Sequence, residues 1–418
     1  MNSNTGNRAC EGMVLELRRF RVLTGFPGAH LQLKAVPRRA MVANRNAERT
    51  SIRPKMAAPD FFSEPSWFLF RLDIPRRLAI FIPLDRPRMS DATFLDEAST
   101  GFSSVQPLEA PIRELEAAMA RSPGGEPVGR FLFHTSFCCS TLIARCLDRA
   151  GTCLALKEPE ALLNLASFKR SLARRPDRAA EFDSCFRLGL RLLNKPFSPG
   201  ERVLVKPTNA ANGVCDDLYR LHPDSRSVFL YSDLENFLIS ILKKGEAGRN
   251  FIRNIFTIVS QDFDPKDLPG LNKLFQWTDL QIAGLVWLIQ LKNYLKVLRQ
   301  FPGRPIRTLD YRRFLESPGE ALRALMAFYG LPGDEEHVQA VLAGPLLKAD
   351  AKAAGRSLDP GQRLLDAGGV KEQFKADIDV VKAWMAPLIR EEGIPEILPD
   401  ARLQRAVLFN PDAADLVD

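Results

Sequence analysis

The chain has 418 residues, 45% of them hydrophobic and 26% charged, which is globular composition and excludes collagen-like, disordered and disulfide-scaffold classes. The net charge of +8 is confined to one end: residues 1–56 carry 11 basic and 3 acidic residues, leaving 47 of each for residues 57–418. A neutral body argues against nucleic acid as a partner, because phosphate backbones are held by basic excess on the fold itself.

Residues 1–56 are Arg-rich and irregular in period. They are expected to be a disordered leader, or an over-long start with Met41 or Met56 as initiator. Seven cysteines, an odd number without CxxC spacing, and only four histidines speak against a disulfide framework and a zinc site. A reducing cytoplasmic compartment is expected, with no metal. No apolar run reaches the length of a membrane helix, so no membrane is expected as partner. The longest such run, Ile282–Ile289, reads as a buried helix segment.

Trp67–Ile74 and Leu78–Leu84 predict a strand pair. Residues 85–110 read as loop, Ile112–Ala120 as helix, and Ser122–Pro127 as a Pro/Gly linker. Residues 57–127 are thus expected to be a small N-terminal β/α extension. Strands and helices then alternate. The predicted strands are Arg130–His134, Cys153–Lys157, Arg202–Lys206, Ser227–Tyr231 and Ile306–Leu309. The predicted helices are Ser140–Ala150, Ala179–Leu193, Ala210–Leu221, Leu234–Lys244, Thr278–Arg299 and Ala321–Tyr329. Short, continuously apolar strands between helices imply a mainly parallel sheet covered on both faces. The expected fold is a three-layer, P-loop NTPase-like α/β domain over residues 128–400, with a tail at 401–418. In such sheets ligands bind beyond the carboxyl ends of the strands.

The first core strand runs into His134-Thr-Ser-Phe-Cys-Cys-Ser-Thr141 and then a helix. A strand, a turn of hydroxyl and thiol residues and a helix N-terminus aim several N–H groups at one point, which suits an anion. The Walker A pattern is absent: its glycines and lysine are replaced by Phe133, Cys138 and Cys139. Cys139 and Arg145 have the Cys-x5-Arg spacing of a cysteine phosphatase, and that alternative stays open. So does a catalytically degenerate binding protein on the same fold.

Four segments, HTSFCCSTLIARCLD, LKEPEAL, VLVKPTN and VFLYSDLENFLIS, resemble the sulfotransferase superfamily, in particular its divergent bacterial members, over about residues 128–330. The resemblance implies a sulfuryl transfer from 3′-phosphoadenosine 5′-phosphosulfate (PAPS) to a hydroxyl or amine of a small-molecule or glycan acceptor. The product nucleotide is 3′,5′-adenosine bisphosphate (PAP). It implies that Ser136, Phe137, Cys138, Cys139, Ser140 and Thr141 cradle the 5′-phosphosulfate. The family's basic loop residue falls at Phe137, and Lys206 is the expected stand-in. At the family's 3′-phosphate site Ser240 is present, but Ser232 replaces the arginine. Lys243 and Lys244 are candidates for the missing charge, or else a solvated helix end. Glu158, ending the second strand, is the expected catalytic base; His134 reads more readily as a strand-end histidine tied to backbone. Tyr311 is expected near the adenine or in the core, and Lys348, Lys352 and Arg356 in a closing lid. The Phe-rich segment 245–277 is expected to line an acceptor pocket or form a satellite core.

Overall fold

Strands that are apolar at every position have no face to give to water, so they become the middle layer of a sandwich. In the computed structural model, which describes residues 59–121, 128–263, 276–347, 368–395 and 398, five of them do so. β4 (Arg130–His134), β5 (Cys153–Lys157), β6 (Arg202–Lys206), β7 (Arg226–Tyr231) and β8 (Ile306–Asp310) form one sheet in the order β5-β6-β4-β7-β8. Every pairing in it is parallel. Alternate residues of β4 feed two cores. Leu132 packs on one face with Leu142, Ile143, Leu325 and Tyr329. Phe131 and Phe133 pack on the other with Phe186, Tyr219 and Trp287. The molecule is the expected three-layer α/β fold.

β1 (Trp67–Asp73), β2 (Leu78–Pro83) and β3 (Leu108–Pro111) form a separate antiparallel sheet. Phe68, Phe70 and Phe81 from it join the same core as Phe131 and Phe186. Residues 85–110, read from the sequence as loop, contain two short helices, Arg86–Asp91 and Glu97–Thr100. The first is capped by Asp85, whose carboxylate accepts from Arg88 N at 2.9 Å. Pro87 sits in its first turn, where a missing N–H costs nothing.

Arg86 bolts this extension to the sheet. Its guanidinium donates to Asp148 Oδ1 at 2.7 Å, Glu201 Oε1 at 2.8 Å and Cys153 O at 2.7 Å. Burial opposes its charge, but Asp148 and Glu201 more than offset this and raise its pKa. This pairing also explains why the helix after β4 ends at Leu147 rather than at residue 150. Asp148 leaves the helix at φ −74°, ψ 112°, and its side chain goes to Arg86. Lys157 makes a second bolt, donating to Met89 O at 3.1 Å and Ser90 O at 2.9 Å, while its carbonyl accepts from Leu95 N at 2.7 Å. Burial pushes the Lys157 ammonium down to about 8, with Asp148 pulling the other way.

Other differences are local. Glu160–Ser171 is a helix that the sequence reading left out. The segment expected as one helix over 210–221 is a 3-10 turn, Asn209–Val214, followed by the helix Cys215–Leu221. Within 245–277, Gly245–Val259 is helical. The leader 1–56, the linker 122–127, Lys348, Lys352, Arg356 and the tail 401–418 lie outside the described residues.

Candidate functional site

β4 and β7 lie side by side, and their onward connections run to opposite sides of the sheet: β4 leads to β5, β7 to β8. This is the switch point at which α/β sheets open a crevice. Thr135 N donates to Leu230 O at 3.1 Å, so the chains beyond, Ser136 on one strand and Ser232 on the other, leave the sheet at the same place.

The loop after β4 has an unusual backbone. Ser136, Phe137 and Cys139 all hold positive φ, at 75°, 53° and 63°, and the segment contains no glycine. Each such residue costs about 1 kcal/mol or more relative to a right-handed conformation. The surroundings hold the loop in place. Ser136 N donates to His134 Nδ1 at 3.0 Å, which requires the proton on Nε2, and Nε2 donates to Pro207 O at 3.0 Å. His134 is therefore a neutral strand-end histidine tied to backbone on both nitrogens. Asn212 Nδ2 donates to His134 O at 2.9 Å and to Gln290 Oε1 at 2.6 Å, and Gln290 Nε2 donates to Thr135 O at 3.4 Å.

The left-handed Cys139 delivers the chain into the helix Ser140–Leu147, whose N-terminus has no side-chain cap. Thr141 and Ser232 are 2% and 1% exposed, and neither hydroxyl has a hydrogen-bond partner. Buried hydroxyls are seldom left so, and each orphan costs on the order of 1–3 kcal/mol. Loop, uncapped helix end and two orphaned hydroxyls lie at the ends of adjacent strands, a candidate cradle whose chemistry suits an anion carrying several acceptor oxygens. Asn209, 2% exposed just beyond β6, adds an amide nitrogen, Nδ2, likewise without a partner.

The structure brings the two expected catalytic residues together. Lys206 Nζ, fully buried, donates to Glu158 Oε1 at 2.5 Å, and Glu158 N donates to Lys206 O at 2.6 Å. Glu158 itself is strained, at φ 55° and ahead of Pro159. Its side chain keeps 22% of its surface exposed, so it is the solvent-facing half of the pair. The Lys206 ammonium also lies 5.6 Å from the Phe94 ring centroid, so the N-terminal extension walls this end of the site. Lys206 is thus committed to Glu158, which sequence reasoning had not foreseen.

Ser240 is half-buried on the helix Leu234–Lys243, capped by Asp233. Arg312 was missed by sequence reasoning. It reaches Asp233 at 3.5 Å and Asp310 at 2.8 Å, spanning the ends of β7 and β8. The signal was available: Asp310 and Arg312 bracket Tyr311 at a strand end. Tyr311 is half-buried and packs with Cys139 against the second core. Its hydroxyl pKa is raised by burial, then by Asp233 and by Cys139.

Cys139 and Arg145 do not form a Cys-x5-Arg anion loop. The intervening residues are helical, and the Arg145 guanidinium donates to Asp91 O at 3.4 Å in the N-terminal extension. The deeper thiols are inert: burial pushes Cys146 and Cys185 up to about 12. Among the described residues, no group of three or more His, Cys, Asp or Glu is placed to hold a metal ion, and no helix is long and apolar enough to cross a membrane. In the Phe-rich segment, Phe256 joins the main core, and Trp277 stands edge-on to it and to Trp384.

No protein-family model and no curated protein sequence matches the chain. Among solved structures, it is similar to a sulfotransferase domain from the curacin biosynthetic pathway. That match has 14% identity and a TM-score of 0.35, and covers 70% of this chain and 98% of that one. A sulfotransferase from Alicyclobacillus acidocaldarius is similar at 13% identity and a TM-score of 0.34, over 63% of this chain and 96% of that one. Likenesses at this level assign no function, so the functional reading rests on the site itself.

Proposed function

We propose that the protein is a sulfotransferase that moves a sulfuryl group from PAPS to a hydroxyl or amine of a small-molecule or glycan acceptor. The observation that carries this is the cradle. A strained, glycine-free loop ends in an uncapped helix, two buried hydroxyls lack partners, and a carboxylate stands at the same edge of the sheet, at the end of β5 with β6 between. The residues present fit an anionic donor. Backbone N–H groups of Ser136 to Ser140 with the Thr141 and Ser232 hydroxyls would hold the phosphosulfate, and Ser240 would hold the nucleotide's second phosphate.

In that reaction the acceptor O–H gives its proton to Glu158 as its oxygen attacks sulfur, and the sulfur–oxygen bond to the nucleotide phosphate breaks to leave PAP. Glu158 has the exposure to meet an acceptor, and Lys206 fixes its orientation. The leaving group is already an anion, so fixed dipoles and positioning supply the catalysis. The cytoplasm is the compartment proposed, on the six free cysteines among the described residues. Calorimetric titration with PAP, beside ATP and AMP, tests the reading. Binding selective for the 3′-phosphate supports it, and equal or absent binding of all three rejects it.

A further inference from the structure

The opposite edge of the sheet, where the strands begin, carries charge that the candidate site does not use. β6, β4 and β7 lie side by side, and each opens with an arginine: Arg202, Arg130 and Arg226. Arg226 is the direct cross-strand partner of Arg130. Among the described residues none of the three pairs with a carboxylate, and Asp224, exposed two positions before Arg226, forms no ion pair either.

Backbone carbonyls account for only part of their capacity. Arg130 donates from Nε to Tyr329 O at 2.6 Å and from Nη1 to Val128 O at 3.1 Å. Arg226 donates from Nη1 to Phe328 O at 2.6 Å. Phe328 and Tyr329 end the helix Pro318–Tyr329. A helix end of that kind offers about half a negative charge, so three guanidiniums remain mostly uncompensated. The crowding shows in Arg130: burial, then the charges of Arg202 and Arg226, push its guanidinium down to about 10. Arg202 is exposed and makes no hydrogen bond among the described residues. A guanidinium is a fork of several N–H donors, and most of theirs are unspent.

A second observation falls at the same place. Ser225, next to Arg226, is 1% exposed, and its hydroxyl has no hydrogen-bond partner. It presses on the residue before Arg130: a Cβ on Gly129 would come within 2.8 Å of Ser225 Oγ, so only glycine fits there. Gly129 O in turn accepts from Arg226 N at 2.8 Å, which ties the two strand starts and the hydroxyl into one unit. A buried hydroxyl without a partner and cations without a counter-ion are completed by the same thing, an oxyanion.

We infer that the amino edge of the sheet holds a second anion site, in which Arg130, Arg202, Arg226 and the Ser225 hydroxyl take a phosphate or sulfate group. The group is a free anion or the terminus of a larger ligand; the chemistry that recognises it is the same. The site lies a full strand length, roughly 15 Å, from the candidate cradle, and the inference stands apart from the sulfotransferase reading. An anion there joins the helix Pro318–Tyr329 to the starts of β4 and β7, the two strands whose far ends open the crevice.

The test uses the full chain with isotope-labelled arginine. It follows the Nε–H signals of Arg130 and Arg226 during titration with inorganic phosphate, inorganic sulfate and glucose 6-phosphate. The two signals should shift together and saturate. Arg202→Gln changes an exposed side chain and should weaken phosphate by about five- to tenfold and flatten its salt dependence, the change expected for one lost charge contact. Ser225→Ala should weaken it severalfold with the salt dependence unchanged. Arg174→Gln, the same charge change at an exposed position elsewhere, should bind as wild type. Glucose 6-phosphate binding tighter than phosphate assigns the group to a larger ligand; equal or weaker binding assigns the free anion. Signals that stay put or never saturate, or an Arg202→Gln protein that binds like Arg174→Gln, overturn the inference. So does loss of the shifts in Ser232→Ala, which would trace them to the cradle. Failure to bind PAP sinks the sulfotransferase reading and leaves this site to be judged on phosphate.

Discussion

At the scale of single residues, Glu158 and Lys206 divide one charge pair into a buried half and an accessible half. Glu158→Gln keeps the shape and most hydrogen bonding but removes the proton acceptor. Turnover should fall by roughly a hundredfold or more with PAP affinity within a fewfold of wild type. Loss of affinity with unchanged turnover would remove Glu158 from the base role. Lys195 makes a different residue-scale prediction. It donates to three carbonyls, Phe61, Glu64 and Trp67, and burial pushes it down to about 8 against the pull of Asp60 and Glu64. Below pH 8 both folded and unfolded chains hold the proton, and the cost of the buried charge is fully present. Between about 8 and the ordinary value of 10.5 the unfolded chain binds more protons, so this group makes stability rise with pH. Chemical denaturation across that window should show the wild type gaining on Lys195→Met; a pH-independent difference would contradict the shift. The candidate residues were legible because hydroxyls and thiols between strand and helix suit an anion-binding turn. The left-handed backbone was not, because its usual marks, glycine and asparagine, are missing from residues 135–141.

Among the elements, the N-terminal extension is the one whose role the sequence hid. Its strands read correctly from period and composition, but its docking depends on contacts from Arg86 to Asp148 and Glu201, far along the chain, which no local pattern encodes. The Arg86–Asp91 helix is hard to see in the sequence because it is short and carries Pro87. Asp85 ahead of it was the readable signal of a helix start. The consequence is energetic. Asp148 and Glu201 are 7% and 0% exposed, and removing their shared guanidinium leaves two buried carboxylates without it. Arg86→Met should therefore lose about 3–5 kcal/mol of stability in denaturant titration. A loss below 1 kcal/mol would mean that the extension docks chiefly through its apolar sheet.

For the whole molecule, the alternation of short, continuously apolar strands with helices disclosed both the three layers and the parallel direction. Strand adjacency was not legible, since nothing in RVLVK says that it lies between CLALK and RFLFH. That adjacency builds the candidate site. It puts Lys206 beside Glu158, and it opens the crevice between β4 and β7 rather than between any other pair.

The supports of the anion loop carry a further consequence, for how the protein comes together. His134 is held by Pro207 across 73 positions of chain and by Asn212 across 78, and Thr135 by Gln290 across 155. Contacts of such long span form late, after the loops that separate them have closed. The cradle is therefore not a local motif that a fragment could fold on its own, but a property of the finished sheet. Ligand occupancy then draws on the global folding equilibrium: an anion at a hundred times its dissociation constant adds about 2.7 kcal/mol to the stability of the entire domain.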